Sequence, residues 1–239
     1  MTNYSNKVVA VTGAAGNLGR ATSMAFLNQG ARLAVIDRRR DDLNNVFSET
    51  VQECNQCLYV SGDLTDSQSV DEMVGSIMDF FGRLDVLVNI AGGFTMGPPV
   101  HETPVDTWDF MINLNARTVF LMSRAVIPHF IDQDYGKIVN IGSRAALTGH
   151  AHMAPYVVSK SAVVRLTESI ASELRDYRNI NVNCVLPGTV DTDRNRREMP
   201  DADFSKWVTP QEIADVIVFL ASDDARAING ASIPVFGRS

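Results

Sequence analysis

Seven short runs of mostly apolar, β-branched residues recur along this chain of 239 residues. Most of the runs are apolar throughout and do not alternate with polar residues, which is typical of strands covered on both faces. Strands of that kind belong to parallel sheets, so the pattern predicts a parallel sheet of about seven strands. The runs cover residues 7–12, 32–37, 57–61, 84–90, 137–142, 180–186 and 231–236.

Longer segments of helical character lie between several of these runs. One of them ends at Gly30 and another at Gly82, and glycine readily adopts the left-handed conformation that closes a helix. A further helix is predicted to start at Thr209, where Thr-Pro-Gln-Glu forms a capping box with proline in the first turn. Strands that alternate with helices predict an α/β fold, a doubly wound sheet with helices on both faces. The predicted helices that precede the one at Thr209 cover residues 17–29, 67–81, 106–130 and 156–177.

The length of the chain fits a single domain, because α/β folds often run to ~250 residues without division. No linker-like change of composition interrupts the chain, so residues 1–239 are expected to form one domain. The only long polar, turn-rich stretch covers residues 189–207 and is expected to be a mobile loop.

Acidic residues outnumber basic residues, 28 against 21, which gives a net charge of -7. A nucleic-acid-binding protein needs a basic stripe to displace phosphate counterions, so nucleic acid is not an expected partner. The chain has no run of ~20 apolar residues for a membrane helix, and its start lacks the apolar stretch of a signal peptide. Three cysteines suit a reducing compartment. The expected location is therefore the cytoplasm, without membrane association.

The first predicted strand leads into the turn Gly13-Ala14-Ala15-Gly16-Asn17-Leu18-Gly19, which precedes a predicted helix. Glycines permit a tight turn and close backbone approach, so a pyrophosphate can bind the free amides at the start of the helix. Any strand-to-helix turn can use glycine, so the turn alone does not establish a binding site. Together with the order of strands and helices, it indicates a Rossmann-type dinucleotide-binding fold.

Asp37 ends the second predicted strand, 18 residues beyond Gly19. A carboxylate at this position can accept hydrogen bonds from an adenosine ribose and repels a 2′-phosphate, which favours NAD. Arg38, Arg39 and Arg40 follow directly. An arginine there could hold the extra phosphate of NADP, or it could stack on adenine or face solvent. NAD is the predicted cofactor, and NADP is the alternative.

Tyr156 and Lys160 are four residues apart at the start of a predicted helix, so their side chains share one face. A free phenol titrates near ~10, which is too high for a base at neutral pH. The Lys160 ammonium and the positive ring of an oxidised nicotinamide could both lower the pKa of Tyr156. Tyr156 is therefore the predicted general acid/base, and a buried tyrosine beside an ordinary lysine is the structural alternative.

With these features, the chain resembles the short-chain dehydrogenase/reductase family over nearly its whole length. Ser143 stands thirteen residues before Tyr156, the spacing that the family requires. The other matching motifs, in chain order, are the turn at residues 13–19, Gly62-Asp63-Leu64-Thr65, Asn89-Ile90-Ala91-Gly92, Asn115 and Pro187-Gly188.

The resemblance implies an oxidoreductase that interconverts a secondary alcohol and a ketone by hydride transfer at nicotinamide C4. It implies that Tyr156 transfers the proton, while Ser143 donates a hydrogen bond to the substrate oxygen. Lys160 also binds the nicotinamide ribose, and Asn115 holds a water that links Lys160 to solvent. The implied cofactor contacts are Gly13, Ala15, Asn17, Leu18, Gly19, Asp37, Arg38, Asp63, Leu64, Asn89, Ala91, Gly92, Tyr156, Lys160, Pro187, Gly188, Val190 and Thr192.

The segment between Ser143 and Tyr156 lines the substrate pocket in this family, and residues 189–207 correspond to a short substrate lid. Arg144 could face an anionic substrate, although acidic neighbours in the lid can neutralise the nearby arginines. His150 and His152 either pack in a loop or contact substrate. The candidate substrate contacts are Phe94, Arg144, His150, His152 and Met153.

No metal site is expected, because His150-x-His152 lacks a nearby carboxylate or cysteine partner. Cys54-x-x-Cys57 lacks the second ligand pair that a structural zinc site needs.

Two other functions stay open from the sequence. Residues 195–207 resemble the corresponding stretch of dihydropteridine reductases, which use NADH, but those enzymes lack the serine that stands here at Ser143. A non-catalytic dinucleotide sensor on the same fold is the second alternative, although a sensor does not need all four proton-handling residues. The resemblance also implies a small-molecule substrate and a homo-oligomer, a tetramer or a dimer.

Overall fold

A computed structural model of the chain describes residues 4–53 and 56–238. The strands are β1 (Val8–Thr12), β2 (Arg32–Asp37), β3 (Cys57–Ser61), β4 (Val86–Asn89), β5 (Gly136–Ile141), β6 (Ile180–Pro187) and β7 (Ser232–Val235). Across the described ranges they form one seven-stranded sheet in the order β3-β2-β1-β4-β5-β6-β7. All six pairs of neighbouring strands are parallel, which confirms the predicted sheet.

The predicted helices that flank the sheet are confirmed, with ends that differ by a few residues. Thr209 begins the last long helix with the predicted capping box, in which Thr209 Oγ1 accepts from Glu212 N and Glu212 Oε2 accepts from Thr209 N. No helix in the described part of the chain is long and apolar enough to cross a membrane. The helices are α1 (Asn17–Leu27), α2 (Arg40–Glu53), α3 (Ser67–Phe81), α4 (Val105–Ile112), α5 (Thr118–Asp132), α6 (Ala154–Glu173), α7 (Asp193–Glu198) and α8 (Pro210–Leu220).

Two core clusters lie on the opposite faces of the sheet. On one face, Phe26 of α1, Phe47 of α2 and Ile217 of α8 are fully buried. On the other face, Ile77 of α3 and Val126 of α5 are fully buried. Helices therefore cover both faces, as the apolar strands predict.

The sequence analysis did not predict α2. This helix is mostly polar, but Leu43 and Phe47 are four residues apart and fully buried. Such a narrow apolar stripe is enough to hold a helix against a sheet.

The predicted helix over residues 106–130 is interrupted. A π-helical turn, Asn113–Arg117, separates α4 from α5 and carries the buried Asn115. The side chain of Asn115 binds the backbone of Gly93, outside the helix, and an inserted residue of this kind often occurs at functional sites.

The stretch at residues 189–207, expected to be a mobile loop, contains α7 and a 3₁₀ turn, Phe204–Lys206. Thr192 Oγ1 caps α7 by accepting from Asn195 N at 3.2 Å. Two hydrogen bonds of 2.6 and 2.7 Å also join the Arg196 guanidinium to Asp191. Local capping and charge pairing thus order a segment whose composition is typical of a loop.

The strand order reverses beside β1, which lies between β2 and β4. Ligands of open α/β sheets bind outside the carboxyl ends of the strands at this kind of switch point. Thr12, the last residue of β1, ties the two connections together, because its Oγ1 accepts from Ile90 N at 3.0 Å and from Ala91 N at 3.1 Å. The fold therefore brings the turn after β1 next to the loop after β4.

Candidate active site

The turn after β1 forms a concave backbone in which two positions have room only for glycine. Gly13 has a φ of +66°, and an added Cβ would lie 2.9 Å from Ala91 Cα. At Gly19, an added Cβ would lie 2.0 Å from Gly13 O. No side chain caps the start of α1, so its first amides face the ligand side of the turn.

We expect Gly19→Ala to weaken dinucleotide binding roughly 5- to 150-fold, because the methyl group would push against the Gly13 carbonyl and overpacking costs ~1–3 kcal/mol. Gly16→Ala is the matched control, since its Cβ would come no closer than 3.4 Å to the same oxygen. Titration calorimetry with NAD measures both affinities. Wild-type affinity in Gly19→Ala would show that the dinucleotide binds elsewhere.

A cleft of about 890 Å³ extends from this turn across the carboxyl ends of β1, β2 and β4. Its volume lies within the range of ligand pockets, roughly 300–1,000 Å³. The structure therefore brings most of the predicted cofactor contacts to one cleft. Those that line it are Gly13, Ala15, Asn17, Leu18, Gly19, Asp37, Arg38, Asp63, Leu64, Ala91 and Gly92.

Asp37 lies at the β2 side of the cleft and is held by backbone amides. Its Oδ2 accepts from Ala15 N at 3.0 Å, and its Oδ1 accepts from Arg38 N at 2.7 Å. Of the two arginines that follow Arg38, Arg39 pairs with Asp42 at 2.8 Å and Arg40 donates to the Tyr59 carbonyl. The carboxylate of Asp37 is therefore fixed at the glycine turn, where a ribose would meet it.

Asp63 lines the cleft in a tight turn of its own. Its Oδ1 accepts from Thr65 N at 2.8 Å and from Thr65 Oγ1 at 2.6 Å. These hydrogen bonds lower the pKa of the Asp63 carboxyl, and the positive charge of Arg38 adds to the effect. Asp63 is thus a stable anion on the cleft wall.

Seven predicted cofactor contacts are not part of the cleft lining, and two of them, Tyr156 and Lys160, belong to the predicted catalytic group described below. Asn89 is buried, and its Nδ2 donates to Asn140 Oδ1 at 2.9 Å inside the sheet. Pro187 ends β6, and Gly188 N donates to Val235 O at 2.9 Å. Val190 pairs with Val208, while Thr192 caps α7. These last four residues stand in the segment that leads from β6 into residues 189–207.

Two predicted catalytic residues meet at the backbone of Gly92, which lines the cleft. A Cβ added to Gly92 would lie 2.7 Å from Asn115 Oδ1 and 3.2 Å from Lys160 Nζ. Lys160 Nζ donates to Ile141 O at 2.9 Å, which places the amine beside the end of β5. Ser143 stands two residues after the end of β5, and its hydroxyl is close enough to Tyr156 to favour the phenolate. All four predicted catalytic residues therefore gather at the β4–β5 side of the cleft.

Burial controls the proton affinities of Tyr156 and Lys160. Desolvation raises the pKa of Tyr156 above its usual value, and the hydrogen bond with Ser143 offsets part of this rise. Complete burial lowers the pKa of Lys160 to about 8. The sequence expectation that Lys160 lowers the pKa of Tyr156 is not confirmed in the protein itself, because burial dominates that pKa and Lys160 is not among the groups that shift it.

Asn115 connects the loop after β4 to α6. Its Oδ1 accepts from Gly93 N at 2.9 Å, and its Nδ2 donates to Gly93 O at 3.1 Å. The same Nδ2 donates to Ser159 Oγ at 3.0 Å, and Ser159 Oγ donates to Tyr156 O at 2.7 Å. The π-helical turn thus fixes the loop relative to the helix that carries Tyr156.

The structure does not bring the five predicted substrate contacts together at one site. The Phe94 ring packs on Tyr156, with ring centroids 4.9 Å apart. His152 Nδ1 is 3.2 Å from Gly97 O, while His150 Nε2 is 3.2 Å from Thr148 Oγ1. The other two are Arg144, whose guanidinium lies over the Phe236 ring at 5.7 Å, and Met153, which directly precedes α6.

Two further elements line the cleft, although the sequence analysis predicted no cleft residues in them. One is α2, whose apolar spacing at Leu43, Val46 and Phe47 was the signal for a helix beside Arg38. The other is the junction of α4 and the π-helical turn, for which the sequence carries no periodic signal. The additional lining residues from these elements are Asp42, Asn45, Val46, Phe110, Asn113, Leu114 and Thr118.

Within the described ranges, no group of three or more His, Cys, Asp or Glu residues is arranged to hold a metal ion. Cys57 lies at the start of β3, and Cys54 of the Cys-x-x-Cys motif lies outside the described residues.

The glycine cradle, the switch-point cleft and the Tyr–Lys pair on α6 place the protein among α/β oxidoreductases that bind a nicotinamide dinucleotide. The chain belongs to the short-chain dehydrogenase/reductase family, since the family profile described as short chain dehydrogenase matches residues 7–203. This finding confirms the resemblance that the sequence motifs carry.

Individual relatives agree with the family over nearly the full chain. The (2S)-[(R)-hydroxy(phenyl)methyl]succinyl-CoA dehydrogenase subunit BbsD of Thauera aromatica is 35% identical, covering 97% of this chain and 96% of its own. The meso-2,3-butanediol dehydrogenase of Serratia marcescens is 33% identical, covering 98% of this chain and 94% of its own. The crystal structure of an NAD⁺-bound xylitol dehydrogenase has a TM-score of 0.91 at 29% identity, covering 98% of this chain and 99% of its own.

Proposed function

We propose that the protein is an NAD-dependent oxidoreductase that interconverts a secondary alcohol and a ketone, with Tyr156 as the general acid/base. The observation that carries the proposal is the setting of Tyr156. The Ser143 side chain interacts with its hydroxyl, and Lys160, one helical turn on, reaches the cleft at Gly92. Tyrosine, serine and lysine in this arrangement can move a proton to or from a substrate oxygen.

The residues of the cleft fit a dinucleotide. Gly13 and Gly19 form a concave backbone that a Cβ would fill, which suits a pyrophosphate at the start of α1. Asp37 would bind the adenosine ribose, Asp63 the adenine edge and Lys160 the nicotinamide ribose. Val190 and Thr192, which follow β6, would contact the nicotinamide carboxamide.

NAD would supply the hydride acceptor for alcohol oxidation, and NADH would supply the donor for ketone reduction. In oxidation, Tyr156 accepts the proton of the substrate hydroxyl, and in reduction it returns that proton to the oxygen. Ser143 donates a hydrogen bond to the same oxygen and stabilises its developing charge. Below pH about 8, Lys160 carries a positive charge that favours the phenolate. Asn115 is proposed to hold the water that links Lys160 to solvent.

The preference for NAD over NADP is proposed to depend on the charge of Asp37. We expect Asp37→Asn to raise the ratio of NADP to NAD efficiency, measured as kcat/KM, at least about tenfold, because like-charge repulsion costs several kcal/mol. The amide oxygen can still accept from Ala15 N, so the turn keeps its hydrogen bond. Asp41→Asn, on the exposed side of α2, is the control. An unchanged ratio in Asp37→Asn would reject this role.

Substrate panels test the proposed activity. In one direction, xylitol and meso-2,3-butanediol are supplied with NAD, and absorbance reports the NADH formed. In the other direction, NADH oxidation is followed against a set of ketones and diketones. Turnover that disappears in Tyr156→Phe supports the proposal. Tight NADH binding without oxidation by any ketone would favour a dinucleotide sensor.

The proposal also covers the organisation of the molecule. Residues 1–239 are proposed to act as one domain for dinucleotide binding and catalysis, with residues 189–207 as the substrate lid. Exposed Trp108 on α4 and Phe120 on α5 support self-association into a tetramer or dimer. Light scattering of the purified protein measures the mass of the particle in solution. A mass equal to one chain would reject the proposed oligomer.

A further inference from the structure

Phe94 lies against the ring of Tyr156, perpendicular to it. The two ring centroids are 4.9 Å apart and the ring planes meet at 88°, which is the favoured edge-to-face geometry of aromatic pairs. Phe94 itself is 45% exposed, so the core does not require it. An apolar side chain that is half exposed gains little folding free energy from burial. The contact between Phe94 and the Tyr156 ring therefore points to a role in the site.

The loop that carries Phe94 is tied down on both sides. Before Phe94, both peptide groups of Gly93 bind the buried Asn115 amide, at 2.9 and 3.1 Å. A Cβ at Gly93 would lie 2.7 Å from Leu114 Cδ2, so this backbone is also in close contact with the π-helical turn. The backbone before Phe94 therefore has little freedom to move away from α6.

The second tie follows Phe94, at Gly97. Gly97 N donates to His152 O at 2.9 Å, and Gly97 O lies 3.2 Å from His152 Nδ1. His152 has a φ of +65°, a left-handed conformation that side-chain-bearing residues seldom adopt. His152, in the segment before α6, has this unfavourable conformation at the point where its hydrogen bonds hold the Phe94 loop.

We propose that Phe94 is a positioning residue for Tyr156, held over the phenol by the two ties at Gly93 and Gly97. The inference rests on the proposed function of Tyr156 as the acid/base and deepens it. Phe94 fixes the orientation of the Tyr156 ring and shields one side of it from water. Asn115 and His152 act on Tyr156 through this loop.

Shielding by Phe94 affects how Tyr156 titrates. Burial is the main cause that raises the pKa of Tyr156, so removal of Phe94 lets water in and lowers that pKa towards its ordinary value. The titratable and charged groups of the neighbouring elements are all retained in such a variant. They are Lys160 on α6, Cys184 on β6, and Arg144, His150 and His152 between β5 and α6.

The test measures the titration of Tyr156 directly and needs no substrate. Ultraviolet difference spectra record tyrosinate formation with pH, and the curve of a matching Tyr156→Phe protein is subtracted to isolate Tyr156. We expect the Tyr156 midpoint to lie at lower pH in Phe94→Ala than in the wild type. Phe94→Tyr keeps the aromatic ring, but its added phenol would also titrate. The effect of this variant is therefore measured by its kinetics alone.

Steady-state kinetics give the second readout, with the panel alcohol that has the highest kcat. A misplaced acid/base costs roughly 10- to 100-fold in rate, so Phe94→Ala is expected to lose that much kcat with little change in KM. Phe94→Tyr should recover most of the rate. Met96→Ala is the matched control, since Met96 is an exposed apolar residue between the same two ties.

Each outcome decides one claim. A wild-type Tyr156 midpoint in Phe94→Ala overturns the positioning role, as does an equal loss of kcat in Met96→Ala. Turnover in Tyr156→Phe rejects the proposed acid/base instead. If Tyr156→Phe is inactive and Phe94→Ala titrates like the wild type, only the role of Phe94 is lost.

Discussion

Tyr156→Phe is expected to lower kcat by about 10²- to 10⁴-fold, the usual contribution of a positioned general acid/base. The substitution removes only the hydroxyl oxygen, so the ring keeps its contact with Phe94 and the helix keeps its packing. NAD affinity is expected to change less than about threefold, because the glycine cradle and Asp37 are untouched. Stopped-flow measurement of NADH formation, together with titration calorimetry, separates the two effects.

The control for this substitution is Tyr177→Phe. Tyr177 is also partly buried, but it follows the end of α6 that is far from Tyr156 and packs against the core. Loss of its hydroxyl should leave kcat within about twofold. Comparable losses of kcat in both variants would contradict the assignment of Tyr156.

Lys160→Met is expected to lower kcat at least about 10²-fold and to weaken NAD binding as well. The amine is buried next to Gly92, where it is proposed to bind the nicotinamide ribose and, below pH about 8, to add positive charge beside the reacting groups. The methionine side chain is unbranched and only one atom shorter than that of lysine, but it carries neither charge nor donor. Parallel measurements of kcat and of NAD affinity distinguish Lys160 from Tyr156, whose loss affects kcat alone.

Lys160 also gives the folding stability a pH dependence with a definite sign. Its pKa is about 8 in the folded protein against an ordinary 10.5, so between these values the unfolded chain binds more protons. The free energy of unfolding of the wild type should therefore rise, relative to Lys160→Met, as pH increases from about 8 to 10.5. Urea titrations at several pH values measure the difference, and a flat difference contradicts the burial of a charged amine.

Lys137→Met provides the matched control for the loss of a buried lysine. Lys137 lies at the start of β5, its Nζ donates to Asn181 Oδ1 at 2.6 Å, and burial lowers its pKa too. Its loss should reduce stability and leave kcat nearly unchanged, because it lies at the opposite end of β5 from Ser143. A similar fall of kcat in both lysine variants would attribute the effect of Lys160 to general destabilisation.

Local patterns in the sequence predicted most of the architecture. Apolar runs gave all seven strands, because a strand that is buried on both faces leaves a continuous apolar signature. Glycine spacing predicted the cradle at Gly13 and Gly19, the four-residue spacing predicted the pair of Tyr156 and Lys160, and the family resemblance added Ser143 to that pair. In each case a short-range pattern reports directly on backbone or side-chain geometry.

Features that depend on tertiary contacts were not predictable in this way. The π-helical turn exists where Asn115 binds Gly93, a contact between residues 22 positions apart. Asn89 points into the sheet because Asn140 on the neighbouring strand receives its hydrogen bond. The direction of the Tyr156 pKa shift depends on how deeply α6 buries the phenol, which residue spacing does not report.

The partner of Arg144 shows the same limit. The sequence places this arginine beside Ser143, and the hypothesis of an anionic substrate came from that adjacency. In the structure its guanidinium lies over the ring of Phe236, which follows β7. A stacking partner from the far end of the chain becomes visible only when the sheet is assembled.

The most direct test of the account is a crystal structure of the protein with NAD⁺. The account predicts the pyrophosphate on the turn at residues 13–19, the adenosine ribose on Asp37, and the nicotinamide ring between Gly92 and the Tyr156 hydroxyl. Ser143 and Tyr156 would then both face the open side of the ring. A dinucleotide bound outside the cleft, or a nicotinamide ring turned away from Tyr156, would contradict the proposed function.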